Sequence, residues 1–174
     1  MALRPPLGPR LDARERRLRS GCAQTARDVA RRLGTVLTPD DFNARGVGKL
    51  PGRLGLVVSH VSDKEVRCEI RIEPHHMAPN GYLHAATIVT LADTAAGYGC
   101  AAHLPQGANG FTTIELKSNH LGTALDGTIE CAATAAHLGR TTQVWDAIVT
   151  HRESGRTLAL FRCTQMVLYP KPGT

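Results

Sequence analysis

From Glu65 to Ile72 apolar and charged side chains alternate: Val66, Cys68, Ile70 and Ile72 interleave with Arg67, Glu69 and Arg71. A period of two places one set on a core and the other in water, so this stretch predicts a half-solvated strand. Leu54–Val61 predicts a strand before it, with Ser62-Asp63-Lys64 as the tight turn between them. The pattern then changes. From about Leu83 to Ala102 the chain is rich in Ala and Leu and nearly uncharged apart from His84, Asp93 and the flanking His103. This predicts one long helix, apolar enough all round to be buried. Alternation returns in four segments, about 111–120, 126–137, 141–152 and 156–168, punctuated by Gly110, Gly122, Gly127, Gly139 and Gly155. Two strands, one buried helix and four strands describe an α+β domain, with an antiparallel sheet of about six strands curled around a central helix.

The first 53 residues are of another kind. Residues 1–9 are Pro-rich, and an expectation of disorder attaches to them. Leu11, Leu18, Ala26, Val29, Ala30 and Leu33 recur at roughly helical spacing, interrupted by Gly21. Thr38-Pro39-Asp40-Asp41 reads as a capped helix start, and Gly46, Gly48, Pro51 and Gly52 as a loop. The expected division is a basic extension over 1–53, partly helical or disordered, and a folded domain over 54–170.

Composition changes this picture in two places. The net charge is +6, but 12 of the 21 Lys/Arg lie in residues 1–53 against 5 of the 15 Asp/Glu. The basicity belongs to the arm, which argues against a nucleic-acid-binding face on the domain. The five cysteines, Cys22, Cys68, Cys100, Cys131 and Cys163, are odd in number and contain no C-x-x-C pair. They read as small buried hydrophobes of a reducing compartment, not disulfides or zinc ligands. No apolar run reaches the roughly 18 residues of a membrane span, and the start lacks an apolar signal core, so a cytoplasmic location is expected.

Asp93 is the residue that stands out chemically. It sits within Ile88-Val-Thr-Leu-Ala-Asp-Thr-Ala-Ala-Gly97, with no Lys or Arg within a turn or two. A carboxylate on an apolar helix costs several kcal/mol unless it is paired or used. Desolvation should raise its pKa, as suits a general base or nucleophile; a structural aspartate bonded to a neighbouring loop is the alternative. The helix begins through Asn80-Gly81-Tyr82-Leu83-His84-Ala85-Ala86. Free N–H groups at a helix start suit a carbonyl oxygen gaining negative charge, and Ala85 and Ala86 allow close approach. His84 can serve such a site or simply bond a backbone carbonyl, and Asn80-Gly81 is also a turn dipeptide. His75-His76 invites a metal reading but lacks further ligands, so no metal is expected.

The stretch His84-Ala-Ala-Thr-Ile-Val-Thr-Leu-Ala-Asp93-Thr94 resembles the helix motif of hotdog-fold acyl-CoA thioesterases, in which an acid follows the His by nine residues. It looks like the phenylacetic-acid-degradation and 4-hydroxybenzoyl-CoA thioesterase type. Glu115-Leu-Lys-Ser-Asn-His-Leu-Gly122 resembles the strand such enzymes lay along the pantetheine arm. Gly139-Arg140-Thr-Thr-Gln-Val144 resembles the next hairpin edge. The likeness covers about 54–168 and implies hydrolysis of an acyl-CoA thioester to acid and CoA, with CoA as part of the substrate and no separate cofactor. It implies catalytic roles for Asp93, His84 and Asn80, and oxyanion or substrate contacts from Ala85, Gly81, Thr94, Ser118, Asn119 and Arg140. Two departures stand out: Ala85-Ala86 replaces the usual Gly-Gly, and Gly97 stands where many relatives carry a Ser or Thr one turn after the acid. The fold class could alternatively serve as a non-catalytic acyl-CoA or acyl-carrier binding module. The dehydratase variant of the fold pairs a His with a Glu about fourteen residues on; Val89 and Thr90 stand there instead. Nine residues are about two and a half turns, so His84 and Asp93 of one chain face opposite ways. If both serve one thioester, a second copy must supply one of them, which implies a homodimer, or a dimer of dimers giving a homotetramer.

Overall fold

The computed structural model describes residues 37–171, and the compact unit that contains the sheet begins at Leu37. The expectations for residues 1–36 lie outside the described residues. Thr38 caps the first helix, α1 (Pro39–Gly46): its hydroxyl accepts from the Asp41 N–H while the Asp41 carboxylate accepts from the Thr38 N–H. A single turn, α2 (Leu50–Arg53), follows where the glycines and proline predicted loop. Gly52 makes this possible, because a Cβ there would collide with the Gly46 carbonyl oxygen. This segment is part of the domain, not only an extension to it. Phe42 is fully buried and stacks on Tyr98 with ring centroids 4.6 Å apart.

Six strands form one antiparallel sheet: β1 (Val57–Ser62), β2 (Glu65–Arg71), β3 (Gly110–His120), β4 (Thr128–Leu138), β5 (Thr142–His151) and β6 (Thr157–Leu168). Their order is β1-β2-β4-β5-β6-β3. Leu54–Leu56 precede β1 in a turn, so that strand starts three residues later than the alternation suggested. The long helix α3 (Ala85–Ala102) lies against the inner face of the sheet. Its Ile88, Leu91, Ala92, Ala95, Ala96 and Cys100 pack on Val66, Cys68, Ile70, Cys131, Trp145, Phe161 and Cys163. Four of the five cysteines are thus free and buried. Burial pushes the thiols of Cys68, Cys100 and Cys163 up to about 12, so they stay protonated and behave as hydrophobes.

Helix α3 is not buried all round. Ala85 and Ala86 are exposed, and Val89, Thr90, Asp93 and Thr94 are half-buried, so one flank is left open in the single chain. The two edges of the sheet differ as well. At β1 the side chain of Asn43 bonds both backbone groups of Val58, accepting from its N–H at 2.7 Å and donating to its carbonyl at 3.1 Å. A helix residue thereby occupies the place of a next strand. At β3 nothing plays that part among the described residues, and Ile114 and Leu116 are exposed along it.

Candidate active site

The loop into α3 is assembled around His76. Its ring is 1% exposed, with Nδ1 accepting from the Glu73 N–H at 3.0 Å. That leaves Nε2–H to donate to the Leu54 carbonyl at 3.1 Å. Both nitrogens are therefore engaged by backbone, with no lone pair free for a metal ion. The His76 carbonyl accepts from the His84 N–H and the Thr87 hydroxyl, pinning the start of α3. Burial, helped by the neighbouring His75, holds the His76 pKa below its ordinary value. The neutral form is the native one, so its stabilisation is complete above about pH 6.5 and is lost as pH falls through the folded pKa. Thermal melts at stepped pH should show a smaller acid-side loss for His76→Gln than for wild type, because the Gln carries no proton to gain. An unchanged acid slope would count against this role.

Asn80 and Gly81 build the turn that follows. Asn80 Oδ1 accepts from the Tyr82 N–H at 3.2 Å, and Gly81 takes φ of +82°, a left-handed conformation that favours glycine. His84 is the N-cap of α3, whose first residue, Ala85, comes two residues after the helix start that the sequence predicted. Its Nδ1 accepts from the Ala86 N–H at 2.9 Å, which puts the ring proton on Nε2, the exposed end. The Ala85 N–H meets no protein acceptor among the described residues. One free backbone donor thus lies beside one imidazole donor at the positive end of an 18-residue helix.

Asp93 stands nine residues on, half-buried on the open flank of α3. Its Oδ1 lies 3.3 Å from the Thr113 hydroxyl on β3. That hydroxyl also lies 3.0 Å from Oε1 of Gln165 on β6, which is fully buried. Burial raises the Asp93 pKa and the Thr113 contact opposes it; among the described residues no cation acts on the carboxyl. Thr94 is half-buried beside it, and the Thr90 hydroxyl is spent on the Ala86 carbonyl at 2.8 Å. One turn beyond, the Phe111 ring covers Gly97, where a Cβ would sit 3.3 Å from the ring. The space of a side-chain hydroxyl at 97 is taken, and the hydroxyl that meets the acid comes from β3 instead.

Thr113 and Gln165 were not among the sequence candidates. Of those that were, Asn80, Gly81, His84 and Ala85 cluster at the helix start, with Asp93 and Thr94 about two and a half turns further along the open flank of the helix. Ser118 and Asn119 lie on opposite faces of β3: Ser118 pairs with inward-facing Phe161, and Asn119 with outward-facing Leu160. The Ser118 Oγ is buried without a partner among the described residues. Asn119 instead lines a shallow outer depression with Lys117 and Arg162, the latter held by both oxygens of Asp146. Arg140 lies over the Tyr169 ring at 5.7 Å in the β4–β5 turn, and its carbonyl accepts from the Tyr169 hydroxyl. The neighbouring Gln143 bonds the His103 carbonyl, so Arg140 sits at the end of the sheet that carries the C-terminus of α3, away from His84 of the same chain.

The chain is similar to known proteins in sequence and in fold. Residues 80–158, which hold the helix start, Asp93 and β3 to β5, match the Thioesterase superfamily. A 1,4-dihydroxy-2-naphthoyl-CoA hydrolase of Escherichia coli is 29% identical over 76% of this chain and 96% of its own. One from Listeria monocytogenes is 31% identical over 64% of this chain and 89% of its own. The crystal structure of a mutant thioesterase from Pseudomonas aeruginosa superposes with a TM-score of 0.72 at 25% identity, covering 76% of this chain and 94% of that one. A Haemophilus influenzae thioesterase, 23% identical, gives 0.73 over 79% and 96% and bears on the fold. With its six-stranded antiparallel sheet curled around one long helix, the chain has the hotdog fold and belongs to the thioesterase superfamily.

Proposed function

We propose that the chain hydrolyses an acyl-CoA thioester to the free acid and CoA, with Asp93 as base or nucleophile. The observation that carries this is a carboxyl on the open flank of the central helix that has no cation partner among the described residues and one hydroxyl to steady it. An ionised carboxyl there can take a proton from water as the water attacks the thioester carbon, or attack the carbon itself. In either case the carbon–sulfur bond then breaks and the CoA thiolate leaves, taking up a proton. Direct attack forms a mixed anhydride, which water then hydrolyses to the free acid and the regenerated Asp93 carboxylate. The Ala85 N–H and His84 Nε2–H supply two donors for the oxygen of the tetrahedral intermediate. Asn80, whose Oδ1 is spent on the turn, retains its NH2 as a further donor, and Gly81 and Thr94 line the approach.

Because about two and a half helical turns, roughly 13 Å of rise, separate His84 from Asp93, one thioester cannot meet both in a single chain, and the site is composite. Two copies paired antiparallel along the bare β3 edges bring the Asp93 flank of one against the helix start of the other. The same two-fold carries the partner's β4–β5 turn, with its Arg140, toward the His84 end, where CoA phosphates need a cation. Ser118, with its unpartnered hydroxyl, faces the pantetheine side, and Asn119 faces the outer rim. Such dimers would pair again into tetramers, in a cytoplasm whose reducing conditions suit the free thiols. The aromatic substrate named for the Escherichia coli and Listeria relatives supports including aromatic acyl groups among the candidates.

The deciding experiment offers purified protein acetyl-, hexanoyl-, benzoyl-, phenylacetyl- and 1,4-dihydroxy-2-naphthoyl-CoA and follows free thiol. Turnover of at least one above the buffer blank is expected, and none with any of the five overturns the proposal. The second reading, a non-catalytic acyl-CoA binding module, is favoured by Ala85-Ala86 and by Phe111 covering Gly97. Saturable binding of benzoyl-CoA without thiol release would establish it.

A further inference from the structure

Gln165 is a polar side chain in an apolar interior. It is fully buried on β6, directly across the ladder from Thr113, among Cys163, Val167 and the residues of α3. Burying an amide costs free energy unless its groups are bonded. Among the described residues its Nε2 reaches only the Cys163 Sγ at 3.3 Å, a weak acceptor, whereas its Oε1 lies 3.0 Å from the Thr113 hydroxyl. Packing alone would be served as well by Met or Leu at this position.

The Thr113 hydroxyl has one proton and faces two acceptors, Gln165 Oε1 and Asp93 Oδ1 at 3.3 Å. It cannot give that proton to both. When Asp93 carries a proton, a consistent chain runs from the carboxyl to Thr113 and from Thr113 to Gln165 Oε1. When Asp93 is ionised, Thr113 must donate to the carboxylate instead. Its oxygen is then satisfied only if Gln165 turns its amide and presents Nε2–H. A primary amide carries both a donor and an acceptor end, so it completes the chain in either state; Glu, Met and Leu do not. A backbone irregularity keeps the hydroxyl in place. The β3–β6 ladder steps from Thr113–Gln165 to Glu115–Thr164, leaving Ile114 as an extra, exposed residue, and such bulges re-aim neighbouring side chains.

We propose that Gln165 is a positioning residue for Asp93, acting through the Thr113 hydroxyl: its reversible amide holds that hydroxyl toward the carboxyl in both of the states a base passes through. This rests on Asp93 being the base or nucleophile. Among the described residues few other charged groups bear on it. The Cys163 thiol on β6 stays protonated, α3 carries no Lys or Arg, and on the outer face of the sheet Arg162 is paired with Asp146 and Lys117 faces away from α3.

The test uses the full chain and the benzoyl-, phenylacetyl- or hexanoyl-CoA ester that turns over fastest. Thr113→Val is expected to lower kcat about tenfold with KM little changed, as loss of orientation without loss of binding does. It should also move the acid limb of the pH profile to higher pH, because the ionised carboxylate loses a donor. Thr113→Ser keeps the hydroxyl and should restore most of both. Gln165→Met should lower kcat several-fold, and Gln165→Glu should move the acid limb upward by holding the Thr113 proton on itself. The double variant Thr113→Val/Gln165→Met decides the mechanism, since an effect relayed by the hydroxyl vanishes once the hydroxyl is gone. If the Gln165→Met loss persists in full in that background, or if Thr113→Val leaves kcat and the acid limb unchanged, the proposal is overturned. NMR titration of the Asp93 carboxyl in wild type and Thr113→Val gives a readout independent of turnover, and an identical midpoint in the two would also overturn it. The two ideas fail separately: an active Asp93→Asn removes the base assignment, whereas an inactive one beside an unperturbed Thr113→Val removes only the positioning role.

Discussion

Asp93→Asn should lower kcat by at least about 100-fold with KM little changed, the scale on which a positioned general base contributes. The substitution keeps the volume and the hydrogen-bonding reach toward Thr113 and removes only the ability to take a proton or attack carbon. The same change should make the protein more stable at neutral pH. Burial raises the Asp93 pKa, so the protonated form is the one the fold prefers. Its stabilisation is complete below the unfolded pKa and is lost as pH rises through the folded value, which leaves the ionised group a burden at pH 7. Asn is neutral throughout and carries no such burden. Initial rates by thiol release and melting temperatures at pH 5 and 7 check both halves, with the stabilisation larger at pH 7. A variant with wild-type turnover would remove Asp93 from the chemistry, and one that melts lower at pH 7 would show that the carboxylate is a structural group.

Trp145→Ala should cost about 3–5 kcal/mol, the range for deleting a large buried aromatic. Trp145 is fully buried on β5, and its six-membered ring lies against α3 at Gly99. A Cβ on residue 99 would come within 2.5 Å of that ring, so helix and sheet approach this closely only because glycine stands there. The indole Nε1–H donates to Gln143 Oε1 at 3.0 Å, and Gln143 Nε2 donates in turn to the His103 carbonyl at the end of α3. The Ala variant therefore leaves a cavity and an unpaired buried oxygen together, and the melting temperature should fall by roughly 10 °C. Gly99→Ala probes the same contact by overpacking and should cost about 1–3 kcal/mol. A Trp145→Ala midpoint within a degree or two of wild type would mean that the C-terminal half of α3 is held by other contacts.

Much of this was readable from the chain because local chemistry and global fold agree. Val66, Cys68 and Ile70 alternate on β2 and are all buried, and the Ala-rich run from Ala85 forms the central helix. What escaped was set by geometry that residue counting cannot see. Thr113 looked like one more polar strand residue. The bulge at Ile114 reverses the alternation, so that Thr113 and Leu116, an odd number of residues apart, both pair with inward-facing partners. Gln165 is polar at a fully buried position, against the usual preference of its type. Phe42 was hidden in a short, charged helix within a basic arm, and only the stacked Tyr98 ring shows why it belongs to the core. The helix flank around Asp93 was read as buried, and in the single chain it is partly open, since apolar composition says that a surface is covered without saying by what.

The hold of Asn43 on Val58 has a consequence for how the protein behaves when concentrated. A sheet with two bare edges can add copies without limit, which is the route to fibres and aggregates. This sheet has one edge occupied by its own helix and one open along β3. Joining two copies by their open edges uses both at once and presents only stoppered edges to a third. In the dimer proposed above, the short helix that Thr38 caps would thus limit growth, turning an association that could run on into one that closes.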